Sequence, residues 1–458
     1  MKLFIRTSLF NLMLLASLVS AWAQTSTKAD IRAAAVDACA AARQQTPALA
    51  AAHCNPDAID RRHLVGDVYE YSFRLKVGDG AHDVIKIHRV VREKSPGVPI
   101  KTGDSVFMIH GDVWGFDAAF LASTLSGNVP REQSIGVFMA NKNVDVWGID
   151  LRWVGVAADT TDFTFMKDWN LATHVRDIAT GIGVARAVRK ATGSGYGKVA
   201  LMGWSRGGIL AYTYANEETR VPEHLRQVKA LIPVDIALKL SAEHEAQRAG
   251  ACLRYEANRQ LLDAGQYHSE QGVGVGTFGL LAAVRPQEKS PVPGFSNFTN
   301  SEVALLVGSA THILFGANAP VPFYHFNAGE FNEAGVPTGL QFTREAYLYD
   351  FFQSAAPFQS FTEMVESEAL MCDEIDMPYD DHLSEISIPV LYVGAEGGFG
   401  KFGTETLNRL GSTDKSSNIV QLYPSEARAI DFGHSDLFLA DNARELVWTP
   451  MYDWIINH

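Results

Sequence analysis

The seventeen residues Lys198 to Tyr214 (KVALMGWSRGGILAYTY) constrain this chain more tightly than any other stretch. Val199 to Met202 form a short apolar run of the kind a central parallel strand shows, while Ile209, Leu210 and Tyr212 to Tyr214 begin an apolar helical face. Between them lies Gly203-Trp204-Ser205-Arg206-Gly207. A strand that turns this sharply into a helix strains the backbone at its apex. The flanking positions then admit only residues without bulk, so glycines stand at 203 and 207, and Gly208 lets the helix pack closer still. The pattern predicts a serine hydroxyl lifted clear of a sheet at a helix N-terminus, where backbone N–H groups can receive developing negative charge. Such a five-residue pattern alone arises by chance about 0.1 to 0.2 times in a chain of this length. Its weight comes from the strand before it, the helix after it and the partners downstream.

The surroundings read as an α/β fold. Two alternating runs, VYEYSFRLKV and VIKIHRVVRE, flank a Gly-Asp-Gly turn and predict an antiparallel hairpin from Asp67. Ser105 to Ile109 and Val144 to Asp150 read as buried strands separated by a helical segment around Ala118 to Leu125. Asp168 to Thr192 carries helical spacing, with an aspartate as the expected cap and a Gly-Ser-Gly stop. Val228 to Val234 is a further strand, ending at Asp235. From 236 to 387 the alternation disappears into helical stretches, Gly/Pro-rich loops and dense aromatics, among them Phe315, Phe323, Tyr324, Phe326, Phe351, Phe352 and Phe358. Strands resume at Ile388 to Val393 and Asn418 to Tyr423, and a closing helix is expected over about Leu437 to Ile456. The expectation is a doubly wound, mostly parallel sheet with an inserted, mainly helical cap. Its parts are a signal peptide (1–23), an N-terminal helical segment (24–62), a first core portion (63–235), the cap (236–387) and a second core portion (388–458).

Lys2 and Arg6 precede an apolar stretch from Leu9 to Val19, and Ala21-Trp22-Ala23 precedes Gln24. That is the pattern of a cleaved secretory signal, so a secreted or periplasmic protein is expected, with no stable membrane span after cleavage. Export permits disulfides, and pairing neighbours gives Cys39 with Cys54 and Cys252 with Cys372. A net charge of −13 argues against nucleic acid or an anionic membrane surface as partner. The 14 histidines and four cysteines show neither HExxH nor CxxC, so no metal site and no cofactor is expected.

A serine hydroxyl needs a base within hydrogen-bond reach, usually a histidine oriented by a carboxylate. His434 lies in Asp431-Phe432-Gly433-His434-Ser435-Asp436-Leu437-Phe438, between the last strand and the closing helix. With the GxSxG turn, this stretch resembles the α/β-hydrolase family, lipase- and esterase-like members above all, over about residues 65–235 and 388–458. The resemblance implies Ser205 as nucleophile, His434 as base and an acid after the strand that follows the cap. There the loop reads Gly394-Ala395-Glu396-Gly397-Gly398-Phe399-Gly400, and Gly398 stands at the usual aspartate position. Glu396 is the expected substitute. Asp235, at the end of the preceding strand, is the alternative. The oxyanion donors implied are the amides of Arg206 and of Asp112, after the family's HG at His110-Gly111. His110 is a rival base, although it precedes the serine. Trp114 could pack under the cap.

The resulting expectation is a secreted serine hydrolase that cleaves a small-molecule carboxylic ester, with an apolar or aromatic substrate, through an acyl-serine. A peptidase or amidase is the rival, with Glu363, Glu366 and Glu368 either anchoring a peptide terminus or forming a solvated helix face. An inactive binding protein of the same fold is the other, motivated by Gly398.

Overall fold

The computed structural model describes residues 31–37, 55–57 and 59–458. The expected signal peptide and the Cys39–Cys54 pairing lie outside them. Of the N-terminal segment, 31–37 are helical, with Ile31 and Ala35 buried in the core.

Nine strands make up most of an eleven-stranded sheet. They are β1 (Asp60–Val65), β2 (Val68–Lys76), β3 (Val84–Ser95), β4 (Ser105–Ile109), β5 (Asp145–Asp150), β6 (Val199–Trp204), β7 (Val228–Val234), β8 (Val390–Ala395) and β9 (Lys415–Val420). Their order is β1-β2-β3-β5-β4-β6-β7-β8-β9, and two-residue strands at Asn55–Pro56 and Val98–Pro99 pair with β2 and β3. The first three strands are linked by short turns and run antiparallel, as does β3 against β5. From β5 to β9 every pairing is parallel. A parallel pair needs a crossover, and helices supply it: α1 (Ile135–Asn141) between β4 and β5, α2 (Leu171–Ala191) between β5 and β6, and α3 (Arg206–Thr219) between β6 and β7.

Every residue of β4, β6 and β8 is buried, which is why these strands read as unbroken apolar runs. Their period of two divides the core between the sheet's faces. Phe107, Ile109, Val199 and Leu201 belong to one cluster, and Val106, Met108, Ala200 and Met202 to the other.

Between β7 and β8 lie α4 (Glu245–Asp263), α5 (Gln271–Val284), α6 (Asn300–Ser309), α7 (Glu345–Gln353) and α8 (Phe361–Cys372). Two small antiparallel ladders accompany them, His268–Ser269 with Gln359–Ser360 and Gly329–Phe331 with Pro337–Leu340. A Cys252–Cys372 disulfide, S–S 1.97 Å, ties α4 to α8, as expected from pairing neighbours.

Several expectations are corrected. β1 (DRRHLV) was not foreseen because its polar side chains hide the alternation, and Arg61 and Arg62 are there to meet buried Glu93 and Glu70. The helical segment expected near Ala118 to Leu125 is a short helix, Phe116–Phe120, with a 3-10 helix at Ala122–Thr124, and a second helix, α1, completes the crossover. α2 is capped by Asn170, whose side chain accepts from the Thr173 amide at 2.9 Å, rather than by Asp168. The strand expected at Asn418 to Tyr423 runs instead from Lys415 to Val420. The closing helix is broken into Asp436–Leu439, Arg444–Trp448 and α9 (Thr449–Ile455).

Beneath the antiparallel strands, His88 is fully buried between Glu70 (Nδ1 to Oε1, 2.6 Å) and Asp150 (Nε2 to Oδ2, 3.1 Å). Glu70, His88 and Asp117 are close enough together to share a cation, and the Arg62 guanidinium already bridges Glu70 and Asp117 there. Burial alone would lower the pKa of His88, but the carboxylates of Asp150 and Glu70 outweigh it and push it up to about 9. A folded-state pKa above the ordinary 6.5 means that protonation favours the fold, so this stabilisation is full below about pH 6.5 and is lost as pH rises through about 9. In urea melts the stability gap between the parent and His88→Gln is therefore expected to narrow by up to about 3 kcal/mol from about pH 6 to about pH 9.5. A gap that widened with pH would mean that His88 is neutral in the fold.

Candidate active site

Ser205 sits at the apex between β6 and α3, with φ 56° and ψ −130°. A positive φ is costly for a residue with a Cβ, and the environment enforces it. The Ser205 amide donates to Val234 O at 2.9 Å, and a Cβ at Gly203 would overlap the Gly207 backbone. A Cβ at Gly207 would overlap the carbonyls of Ile109 and His110, and one at Gly111 would stand 2.7 Å from the Ser205 Cβ. Glycine is thus required at these positions by close backbone approach, and Ser205 is held against the ends of β4 and β7.

His434 follows β9, in a loop anchored on the inserted stretch. Its amide donates to His325 O at 3.0 Å and the Ser435 amide to Phe326 O at 2.7 Å. The side chain of His325 bridges the Phe323 and Asp431 carbonyls. Asp436 accepts from Asn327 Nδ2, Thr343 Oγ1 and the amides of Ala328 and Gly433. The His434 ring stacks on Trp204, the residue before the serine, with centroids 5.0 Å apart. Tyr324, Phe326 and Phe399 pack around its other sides.

The carboxylate at His434 is Asp235. Its Oδ2 lies 2.6 Å from His434 Nδ1, and both side chains are buried. Oδ1 accepts from the amides of Ala395 (2.9 Å), Phe399 (3.0 Å) and Gly400 (3.0 Å). Glu396, the acid expected first, is corrected: its Oε1 pairs with Arg428 Nη1 at 3.1 Å. The reason lies at Gly398. A Cβ there would fall on Asp235 Oδ2, so the Asp235 carboxylate, arriving from β7, occupies the space an acid at 398 would need. The glycine at the usual acid position and the aspartate one strand earlier are the two halves of one arrangement.

His110 is not beside the serine hydroxyl as a base. Nδ1 faces Gly111 O at 3.0 Å and Nε2 accepts the Leu151 amide at 3.1 Å, leaving it a bracket between β4 and β5. Trp114 packs under the inserted stretch, stacked on Phe351 with centroids 4.2 Å apart and donating from Nε1 to Phe351 O at 3.0 Å. Arg206 opens α3, and its guanidinium grips Asp112 in two places, Nε to Oδ1 at 2.5 Å and Nη2 to Oδ2 at 2.9 Å. Gln359 Nε2 also donates to Asp112 Oδ1. The acidic residues of α8 are not a solvated face. Glu363 meets Trp153 Nε1 and His174 Nε2 at 3.2 Å each, Glu366 accepts the Leu171 amide at 2.8 Å, and Glu368 pairs with Arg254. Gln359 and Tyr324 carry no sequence signal that sets them apart from the other residues of the insertion. Asp235 carried one, as a lone acid at the end of an apolar strand.

No family model matches the chain, and no curated protein matches it in sequence. Among solved structures, it is similar to a Sulfolobus solfataricus protein provisionally described as a lipase, with TM-score 0.58 and 17% identity over 89% of this chain and 99% of that one. The fold is that of the α/β-hydrolases. More distant likenesses include a monoglyceride lipase from Saccharomyces cerevisiae (TM-score 0.42, 12% identity, 89% and 96% covered) and an esterase from Exiguobacterium antarcticum (0.42, 13%, 81% and 96%). Within this α/β-hydrolase fold the chain carries the serine turn, the histidine loop and a carboxylate displaced to the end of β7.

Gly398→Ala forces a methyl group into the Asp235 carboxylate and is expected to cost about 1 to 3 kcal/mol of stability in urea melts, the range for overpacking. A neutral result would show that the loop at 396–400 can yield, contrary to the two amides it lends to Asp235.

Proposed function

We propose that this chain is an exported serine hydrolase that cleaves carboxylic esters through an acyl-serine intermediate. The observation that carries the reading is the Asp235–His434 pair, 2.6 Å and buried, packed on the residue preceding a serine held at positive φ. Asp235 fixes the tautomer with Nδ1–H toward itself, leaving Nε2 to take the Ser205 proton. Ser205 Oγ attacks the ester carbonyl, and the amides of Arg206 and Asp112 receive the oxyanion. As the tetrahedral centre collapses, His434 returns the proton to the leaving alcohol. Water, deprotonated by the same histidine, then releases the acid and restores the serine.

The missing acid at Gly398 favoured an inactive binding protein, and Asp235 removes that objection. The engagement of Glu363, Glu366 and Glu368 by buried partners weighs against a peptide-terminus anchor on α8 and so favours the ester reading. Trp204, Tyr324, Phe326 and Phe399 around His434 suit an apolar or aromatic ester.

A panel of p-nitrophenyl esters of rising acyl length tests the reading. Ser205→Ala is expected to lower turnover by at least about a thousandfold with the fold intact. Asp235→Asn is expected to lower it by roughly three to four orders of magnitude, while Glu396→Gln stays within about tenfold of the parent. The reverse ranking would return the role to Glu396. A parent that neither hydrolyses an ester nor takes a fluorophosphonate label would refute the hydrolase reading. Export is tested by the N-terminus of the secreted chain, expected at Gln24.

A further inference from the structure

The two residues assigned as oxyanion donors by their backbones are joined to each other by their side chains. Arg206 belongs to the first turn of α3 and Asp112 to the loop after β4, so they are 94 residues apart in sequence. Their contact is bidentate, 2.5 and 2.9 Å, with the guanidinium largely buried. This is the geometry in which arginine gives directional fixation as well as charge.

Both ends of this link lie in strained backbone. Ser205 has φ 56°, and Val113, directly after Asp112, has φ 54°, an outlier for a β-branched residue. Strain of this kind persists only where the surroundings over-determine it. At Val113 the surroundings are the Asp112 side chain on one side and, on the other, the Val113 carbonyl, which accepts the Ala356 amide at 2.6 Å. Gln359, from the same inserted segment as Ala356, gives a third hydrogen bond to the Asp112 carboxylate. Burial would raise the pKa of Asp112, but Arg206 and Gln359 hold it below the usual carboxylate range, so the pair is ionised at neutral pH. An oxyanion site works only if its donors are in place before charge develops, since donors that must reorganise during the reaction lose most of their advantage.

We propose that the Asp112–Arg206 ion pair is a positioning device that locks the two oxyanion amides into one frame, with Gln359 and Ala356 tying that frame to the insertion between β7 and β8. The proposal rests on the reading of Ser205 as nucleophile. It makes Asp112 and Arg206 side chains positioning residues, distinct from the backbone amides that touch the substrate.

Asp112→Asn, Arg206→Gln and their double variant, made in the full chain, test it with p-nitrophenyl esters and with a trifluoromethyl ketone, whose hemiketal oxyanion occupies the same hole. Each single change is expected to lower kcat about 10- to 100-fold with KM within about threefold, and to weaken the ketone by a similar factor. The double variant is expected to be no worse than the poorer single one, because both remove the same link. Gln359→Ala is expected to lose only a few-fold. Should the single variants keep kcat and ketone affinity within about threefold of the parent, the proposal falls while the hydrolase reading stands. Multiplicative losses in the double variant would also overturn it, showing two independent effects. Losses confined to KM would mean that the pair contacts substrate instead. If the variants do not fold, the Gln359→Ala and Gln359→Glu enzymes decide through the same kcat and ketone readouts, an unchanged pair of values in both refuting the tie to the insertion. A parent inert to esters and to fluorophosphonate overturns both readings together.

Discussion

A carboxylate buried as completely as Asp235 is tolerable only when its charge is met on every side, and most of the candidate site is arranged to meet it. Three backbone amides, one from the last residue of β8 and two from the loop after it, point at one oxygen, and the imidazole of His434 takes the other. The loop must close tightly to bring its amides inward, which explains its run of glycines. The histidine loop must in turn be held from outside, and the insertion holds it through His325, Phe326 and Asn327. Removing the charge would leave three amides and a ring nitrogen unsatisfied in the interior, so this one acid organises β7, the β8 loop and the histidine loop together.

The same physics appears in the antiparallel part of the sheet. Arg61 with Glu93, Arg62 with Glu70 and Asp117, and His88 with Glu70 and Asp150 carry charge into or beneath strands that are otherwise apolar on their inner faces. An excess of acidic residues in the chain thus does not lie wholly on its surface. Several carboxylates are internal; those of the antiparallel strands are matched to cations, while Asp436 is met by backbone amides, Asn327 and Thr343.

How much of this could be read from the sequence depended on whether the signal was local. The strands β4, β6, β7 and β8 announced themselves as apolar runs, and the serine turn as two glycines at fixed spacing, because burial and close approach act on consecutive residues. His434 was legible from its place after the last strand. The choice between Glu396 and Asp235 was not, since it depends on which carboxylate enters a space shared by two loops 160 residues apart, and Glu396 is drawn off by Arg428, which no local pattern connects to it. β1 escaped for a related reason: its arginines are strand residues only by virtue of partners on β2 and β3. Asn170 displaced Asp168 as the cap of α2 by two residues, a difference that side-chain chemistry alone leaves open.

The backbone hydrogen bonds from His434 to His325 and from Ser435 to Phe326 also limit how the molecule can breathe. A flap that lifted as a rigid unit about the ends of the insertion would pull the segment 325–328 away and carry the imidazole off its aspartate. Any lifting of the insertion is therefore confined to parts not sewn to the histidine loop, with 325–328 staying behind as a fixed wall. Over this part of its length the insertion is a load borne by the histidine loop, and the two segments stand or shift together.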